Sequence, residues 1–159
     1  DHETGGIALG TGKYALNLKA LENQKASAEV LSKKISDLRK AKNNHVAWED
    51  IKNLLSEEMG FWSVLPITWE QEKKLRDEYE KSFVRNKVEF AESMYAKTEP
   101  MAAKAKEVMD QIAMVGWTSG GHSAGYVPVF AIGAGSDLFI GKMDNTEIPK
   151  RIAKAGGYK

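Results

Sequence analysis

Cysteine is missing altogether from these 159 residues. That removes disulfides, thiolate zinc sites and cysteine nucleophiles together. Net charge is nearly missing too: 23 basic against 22 acidic side chains leave +1, too balanced to advertise a nucleic-acid surface. No apolar run approaches the roughly 18 residues of a spanning helix, so no membrane span is expected. Proline is scarce, at four residues, and glycine is almost absent from the middle, where Gly60 stands alone between residues 22 and 115. An initiator Met and a signal peptide are also lacking. The opening Asp1-His2-Glu3-Thr4 reads as the interior of a longer protein. What is present argues for a folded domain: 42% hydrophobic residues and four Trp are incompatible with wholesale disorder.

Glycine and charge partition the chain in opposite senses. Nine glycines crowd the end from Gly116 to Gly157 and four crowd the start, whereas 33 of the 45 charged side chains lie between residues 22 and 115. A charge-laced, glycine-poor middle between glycine-rich ends predicts a helical block flanked by loops and strands. The fold class expected for these residues is therefore α+β.

Four helices are predicted in the block. Ser27 caps the first, whose stripe is Val30, Leu31, Ile35 and Leu38, and Asn43-Asn44 breaks it. The second runs from Trp48 to Met59 with Ile51, Leu54 and Leu55 inward, and Gly60 is its left-handed stop. Thr68-Trp69-Glu70-Gln71 fits a capping box opening a third, with Trp69, Leu75, Tyr79 and Phe83 as its apolar positions. Thr98 and Pro100 open a fourth, carrying Val108, Met109 and Ile112 and ending at Gly116. The segment 86–97 is read as helical.

The flanks read as β. Tyr14 to Leu21 alternates imperfectly, Tyr126 to Ile132 is a better strand with Pro128 at an edge or bulge, and Leu138-Phe139-Ile140 is another short one. Asp144-Asn145-Thr146 supplies N-caps for a last helix through Ile148 and Ile152, closed by Gly156-Gly157.

Chemistry is concentrated in few residues. His45 sits at a charged helix start and reads as a solvated side chain. Asp1-His2 pairs a hard carboxylate with a borderline imidazole, and Glu3-Thr4-Gly5-Gly6 lets the chain turn so that both can reach one ion. A frayed terminus is the competing reading. His122 lies in a loop of small residues, Trp117 to Gly125, before an apolar strand, where a hydrogen-bonded loop histidine and a metal ligand are both compatible with the residues.

Together the two ends resemble the alkaline phosphatase family. Asp1-His2-Glu3-Thr4-Gly5-Gly6 is similar to its aspartate-histidine metal motif, and Gly121-His122-Ser123 with Asp144-Asn145-Thr146-Glu147 is similar to its carboxy-terminal metal segment. The two motifs stand in the family's order. The resemblance covers residues 1–21 and 116–159, assigned to the catalytic domain, while 22–115 matches a helical insertion of the crown or accessory type. It implies an α/β parent fold and hydrolysis of phosphate monoesters through a phosphoserine, with two zinc ions and a magnesium. Asp1 and His2 then correspond to ligands of the zinc that activates the serine, and His122 to a ligand of the other.

Thr4 replaces a second histidine found in some members, and Ser123 replaces the commoner threonine. The nucleophilic serine, the phosphate-clamping arginine and the remaining ligands would precede Asp1. Arg39, Arg76, Arg85 and Arg151 fall on predicted helices and fit no clamp. The fragment alone is thus expected to be inactive, and the parent to be periplasmic or secreted; a homodimer is compatible with the family. A phosphodiesterase, phosphomutase or sulfatase of the same superfamily is the alternative enzyme reading. A helical interaction module docking through Trp48, Phe61, Trp62 and Trp69 is the non-catalytic one.

Overall fold

Residues 2–12, 14–92 and 97–158 are described by a computed structural model of the chain. The chain runs β1 (Ile7–Leu9), α1 (Ala28–Ala41), α2 (Trp48–Met59), α3 (Trp69–Tyr79), β2 (Ala91–Glu92), β3 (Lys97–Thr98), α4 (Pro100–Ala113), β4 (Val115–Trp117) and α5 (Glu147–Ala155). Among the described residues it is a helical block with short strands, as expected for an α+β chain.

Local sequence sets the first three helices as predicted. The Ser27 hydroxyl accepts the Val30 N–H at 3.2 Å, Asn43 and Asn44 both take positive φ, and Gly60 ends α2 at φ 71°. The capping box forms: Thr68 Oγ1 accepts from Gln71 N at 3.3 Å while the Gln71 amide oxygen accepts from Thr68 N at 3.0 Å.

Helix α4 is the centre of the core. Its Met101, Ala102, Ala105, Val108 and Met109 are fully buried, against Leu31 and Ile35 of α1, Ile51 and Leu55 of α2, and Leu75 of α3. Two alanines on the buried face let neighbouring helices approach closely, and the larger side chains fill the spaces left.

Several expectations give way to specific interactions. Thr98 does not cap α4; it pairs in β3, and Glu99 reaches round to accept the N–H groups of Met101 at 2.8 Å and Ala102 at 3.2 Å. The helix stops at Met114, φ 57°, instead of Gly116, because the Met114 carbonyl is claimed by Gly10 N at 2.8 Å and Thr11 N at 3.1 Å. Gly116 lies instead in β4 opposite Ala8, where a Cβ would come 2.8 Å from the Thr11 methyl.

Residues 86–92 are not helical. A π-helical turn, Glu80–Val84, ends at Asn86 with φ 53°, and Ala91–Glu92 then pairs antiparallel with Lys97–Thr98; positions 93–96 lie outside the described residues. The predicted strand at 14–21 is a 3-10 turn, Leu18–Asn23, since Asn17 bonds the last carbonyls of α4 through its N–H to Ala113 at 3.1 Å and its amide to Ile112 at 3.3 Å. Leu138-Phe139 also lies in a 3-10 turn, Ser136–Phe139, entered through Gly135 at φ 81°.

Tyr126 to Ile132 forms no ladder with the described residues, and its Tyr126, Phe130 and Ile132 are exposed. Trp69 is exposed as well, not an inward position of α3, and Val30 is exposed on α1. The docking patch does not exist: Trp48 and Phe61 are buried and Trp62 is packed against the core.

Candidate active site

The two strands flanking the helical block meet each other. β1 pairs antiparallel with β4 in the register Ile7–Trp117, Ala8–Gly116, Leu9–Val115. Their open end brings residues 2–6 against 118–125. There Gly5 carbonyl accepts from Thr118 N at 2.8 Å and Ser119 N at 3.1 Å, and the Thr118 hydroxyl donates to Gly6 carbonyl at 3.0 Å. Glycine is required at position 6: φ is +63°, and a Cβ would sit 2.7 Å from Thr118 Oγ1.

Glu3 closes this turn. Its two carboxylate oxygens accept the N–H groups of Gly5 at 2.8 Å and Gly6 at 2.7 Å, and the Ser123 hydroxyl donates to it from the opposite loop. Gly125 N in turn donates to Ser123 Oγ at 3.2 Å. The Ser123 hydroxyl first, then the Gly5 and Gly6 amides, hold the Glu3 carboxyl down to about 2, so it is ionised at neutral pH. Glu3 and Ser123 tie together loops 120 positions apart.

The clamp has a geometric consequence. His2 and His122 stack, with ring centroids 3.6 Å apart and planes inclined by 26°. His2 Nδ1 lies 3.0 Å from the Glu3 carbonyl. This contact ties the His2 ring to its own turn through the neighbouring backbone carbonyl. Both rings are exposed to solvent.

Asp1, the third expected ligand, lies outside the described residues. Among the described residues no group of three or more His, Asp or Glu side chains is placed to hold one ion. His45 is remote and exposed, its Nδ1 2.9 Å from the Asn43 carbonyl. Three of the four arginines are engaged elsewhere: Arg39 with Glu99, Arg76 with Glu72 and the face of Trp48, Arg151 with the Leu138 carbonyl.

Sequence reading found the two histidines and missed the clamp. The signal was available, since an acidic residue two and three positions before paired glycines is placed to accept their N–H groups.

An α+β chain whose histidine-bearing loops are drawn together at one end of a two-stranded ribbon defines the architecture. Its lineage follows from comparison: the family model described as alkaline phosphatase matches residues 1–158, and the chain belongs to that family. It is similar to Alkaline phosphatase 3 of Bacillus subtilis (strain 168), 29% identical over 169 residues that take in 99% of this chain and 29% of the relative. It also superposes on a crystal structure of a cold-active alkaline phosphatase from a psychrophilic Shewanella sp. with TM-score 0.61 at 23% identity, covering 96% of this chain and 31% of that one. The chain thus spans under a third of the length of either.

Proposed function

We propose that these residues form part of a phosphatase that hydrolyses phosphate monoesters through a phosphoserine, and that they contribute Asp1 and His2 to one zinc site and His122 to a second. The observation that carries this reading is the meeting of His2 and His122, which are far apart in sequence and stacked in space.

The donor set fits zinc in chemistry, since imidazole nitrogen is one of its ordinary ligands, and the two rings lie at one place, with centroids 3.6 Å apart. Paired zinc ions would stabilise the entering and leaving oxygens of an in-line phosphoryl displacement. The chain's own contribution is orientation: the Glu3 carbonyl contacts the His2 ring, and the Glu3–Ser123 clamp holds the two loops together. The serine nucleophile, the other ligands and a magnesium site are assigned outside residues 1–159.

Residues 22–115 form an insertion in this proposal, and 1–21 with 116–159 belong to the catalytic domain. Direct pairing of β1 with β4 supports the division, because the chain leaves and re-enters the ribbon at neighbouring positions. Work outside the cytoplasm, in the periplasm or after secretion, is part of the same proposal. Among the described residues no helix is long and apolar enough to cross a membrane.

In the intact parent, His122→Ala is expected to lower phosphate monoester turnover far more than His45→Ala, since only the former removes a metal ligand. Steady-state assays with one ester compare the two. Equal activity would remove His122 from the site.

A further inference from the structure

Each of the two stacked histidines is followed at once by a residue of the clamp: His2 by Glu3, and His122 by Ser123. The two clamp residues do unequal work. Glu3 Oε1 accepts from Gly6 N at 2.7 Å and Oε2 from Gly5 N at 2.8 Å, both within its own turn, and Oε2 also accepts the Ser123 hydroxyl from the other loop. Ser123 donates to that carboxylate and accepts from Gly125 N at 3.2 Å. Removing the serine hydroxyl therefore leaves the turn behind His2 closed. Removing the carboxylate opens that turn and the link between the loops together.

The surroundings are built for close approach. A Cβ on Gly125 would come 3.2 Å from both Glu3 Cγ and Ser123 Oγ, and one on Gly5 would come 3.1 Å from the Ser119 carbonyl oxygen. Gly5 is buried and Glu3 half-buried, while both imidazoles are exposed. The support is thus packed, and the rings project from it. Donors from Gly5, Gly6 and Ser123 occupy most of the roughly four lone-pair sites of a carboxylate. Glu3 is committed to holding backbone and loop.

We propose that Glu3 and Ser123 are positioning residues of the zinc sites with unequal reach: Glu3 braces both ions, and Ser123 braces the ion of His122 alone. The inference rests on the phosphatase reading, in which His2 and His122 serve different ions, and says which part of this chain steadies each. Ser123 acts by drawing in the loop 118–125. Glu3 acts through that same bond and by folding residues 3–6 behind His2. Groups that orient a ligating histidine commonly account for about 10–100-fold in metal affinity.

Release of zinc from the full-length holoenzyme into a chromogenic chelator follows the two ions directly. The phase that disappears in His122→Ala belongs to the His122 ion. Ser123→Ala is expected to speed that phase about tenfold and leave the other within about twofold, whereas Glu3→Ala is expected to speed both about tenfold. Adding Ser123→Ala to Glu3→Ala should change the His122 phase little further, because both remove one hydrogen bond. Ser123→Thr keeps the hydroxyl and should release zinc at nearly the parental rate. A general loosening of the fold would instead speed both phases alike and find no rescue in threonine. Should Glu3→Ala not fold, the two Ser123 variants decide alone. Parental release in Ser123→Ala, equal acceleration of both phases in it, or a threonine variant no better than alanine would overturn the proposal. His122→Ala separates the two readings. Unchanged zinc release in it refutes the two-ion site and the inference with it; loss of one phase there, with parental release in Ser123→Ala, refutes the brace alone.

Discussion

Removing the Glu99 carboxylate is expected to damage the helical block more than any other surface-to-core charge deletion. Glu99 is 1% exposed and serves two partners at once. One oxygen accepts from Arg39 Nη2 at 2.9 Å; the other caps α4 through Met101 N and Ala102 N. Arg39 is itself largely enclosed, donating to the Ser82 carbonyl at 3.2 Å with its guanidinium 3.6 Å above the Phe83 ring. In Glu99→Ala the guanidinium keeps those two contacts but loses its counter-charge. Breaking a buried pair from one side costs about 3–5 kcal/mol. The lost cap, about 1 kcal/mol alone, overlaps with that figure because both roles belong to one carboxylate.

For a chain of this size each kcal/mol moves the melting temperature by about 2–4 °C, so a drop of roughly 6–20 °C is expected. Glu99→Gln separates the two roles. Its amide oxygen can still accept the helix N–H groups, so it should recover about 1 kcal/mol over alanine while leaving Arg39 uncompensated. Arg39→Met combined with Glu99→Gln should then be more stable than Glu99→Gln alone, since no enclosed charge is left unpaired. Urea unfolding of the four proteins, with Arg39→Met completing the cycle, measures the coupling. A Glu99→Ala protein within about 0.5 kcal/mol of the parent would refute the claim that this pair organises α4, by the ordinary scale of surface substitutions.

Three other outcomes are expected. Gly60→Ala should destabilise by more than about 1 kcal/mol in urea unfolding, because φ is +71° and the new Cβ would lie 2.9 Å from Asn23 Cβ; a neutral effect would mean that α2 can end otherwise. Asp50 accepts the Ala47 N–H and pairs with Lys42, which holds its carboxyl below the usual 3.8, so the stability it contributes is present above that value and is lost as pH falls through the lower folded one. Carboxyl NMR chemical shifts should give a midpoint under 3.8, and one at or above it would contradict the cap. Titration calorimetry with zinc should find only weak binding by the isolated 159-residue chain, since each ion would receive at most two of the three or four ligands a stable site needs; stoichiometric submicromolar binding would mean that the ligand assignment is incomplete.

Much of the helical block was legible because its signals are local. Ser27, Asn43-Asn44, Gly60 and the Thr68–Gln71 box act within four residues, and each does what its chemistry requires. Failures fall where a distant partner intervenes. Glu99 displaced Thr98 as the cap because Arg39, sixty positions earlier, sits beside the same carboxylate. Asn17 entered a 3-10 turn because the end of α4 offered it carbonyls, a contact across 95 positions. Periodicity also misplaced Trp69, since a large apolar residue in the first turn of a helix satisfies the pattern while projecting past the core.

The site was legible in composition but not in construction. Histidine is rare enough here that His2 and His122 stood out without a structure, and motif resemblance put both in one family site. What brings them to 3.6 Å is less conspicuous: a glutamate that folds onto two glycine amides and a serine hydroxyl that reaches it from the other loop. Neither residue need touch substrate for this role. The helical block can be large and variable in sequence without disturbing them, because its two ends are already joined by the β1–β4 pairing. The placing of the histidines therefore depends on a few hydrogen bonds at the ribbon mouth.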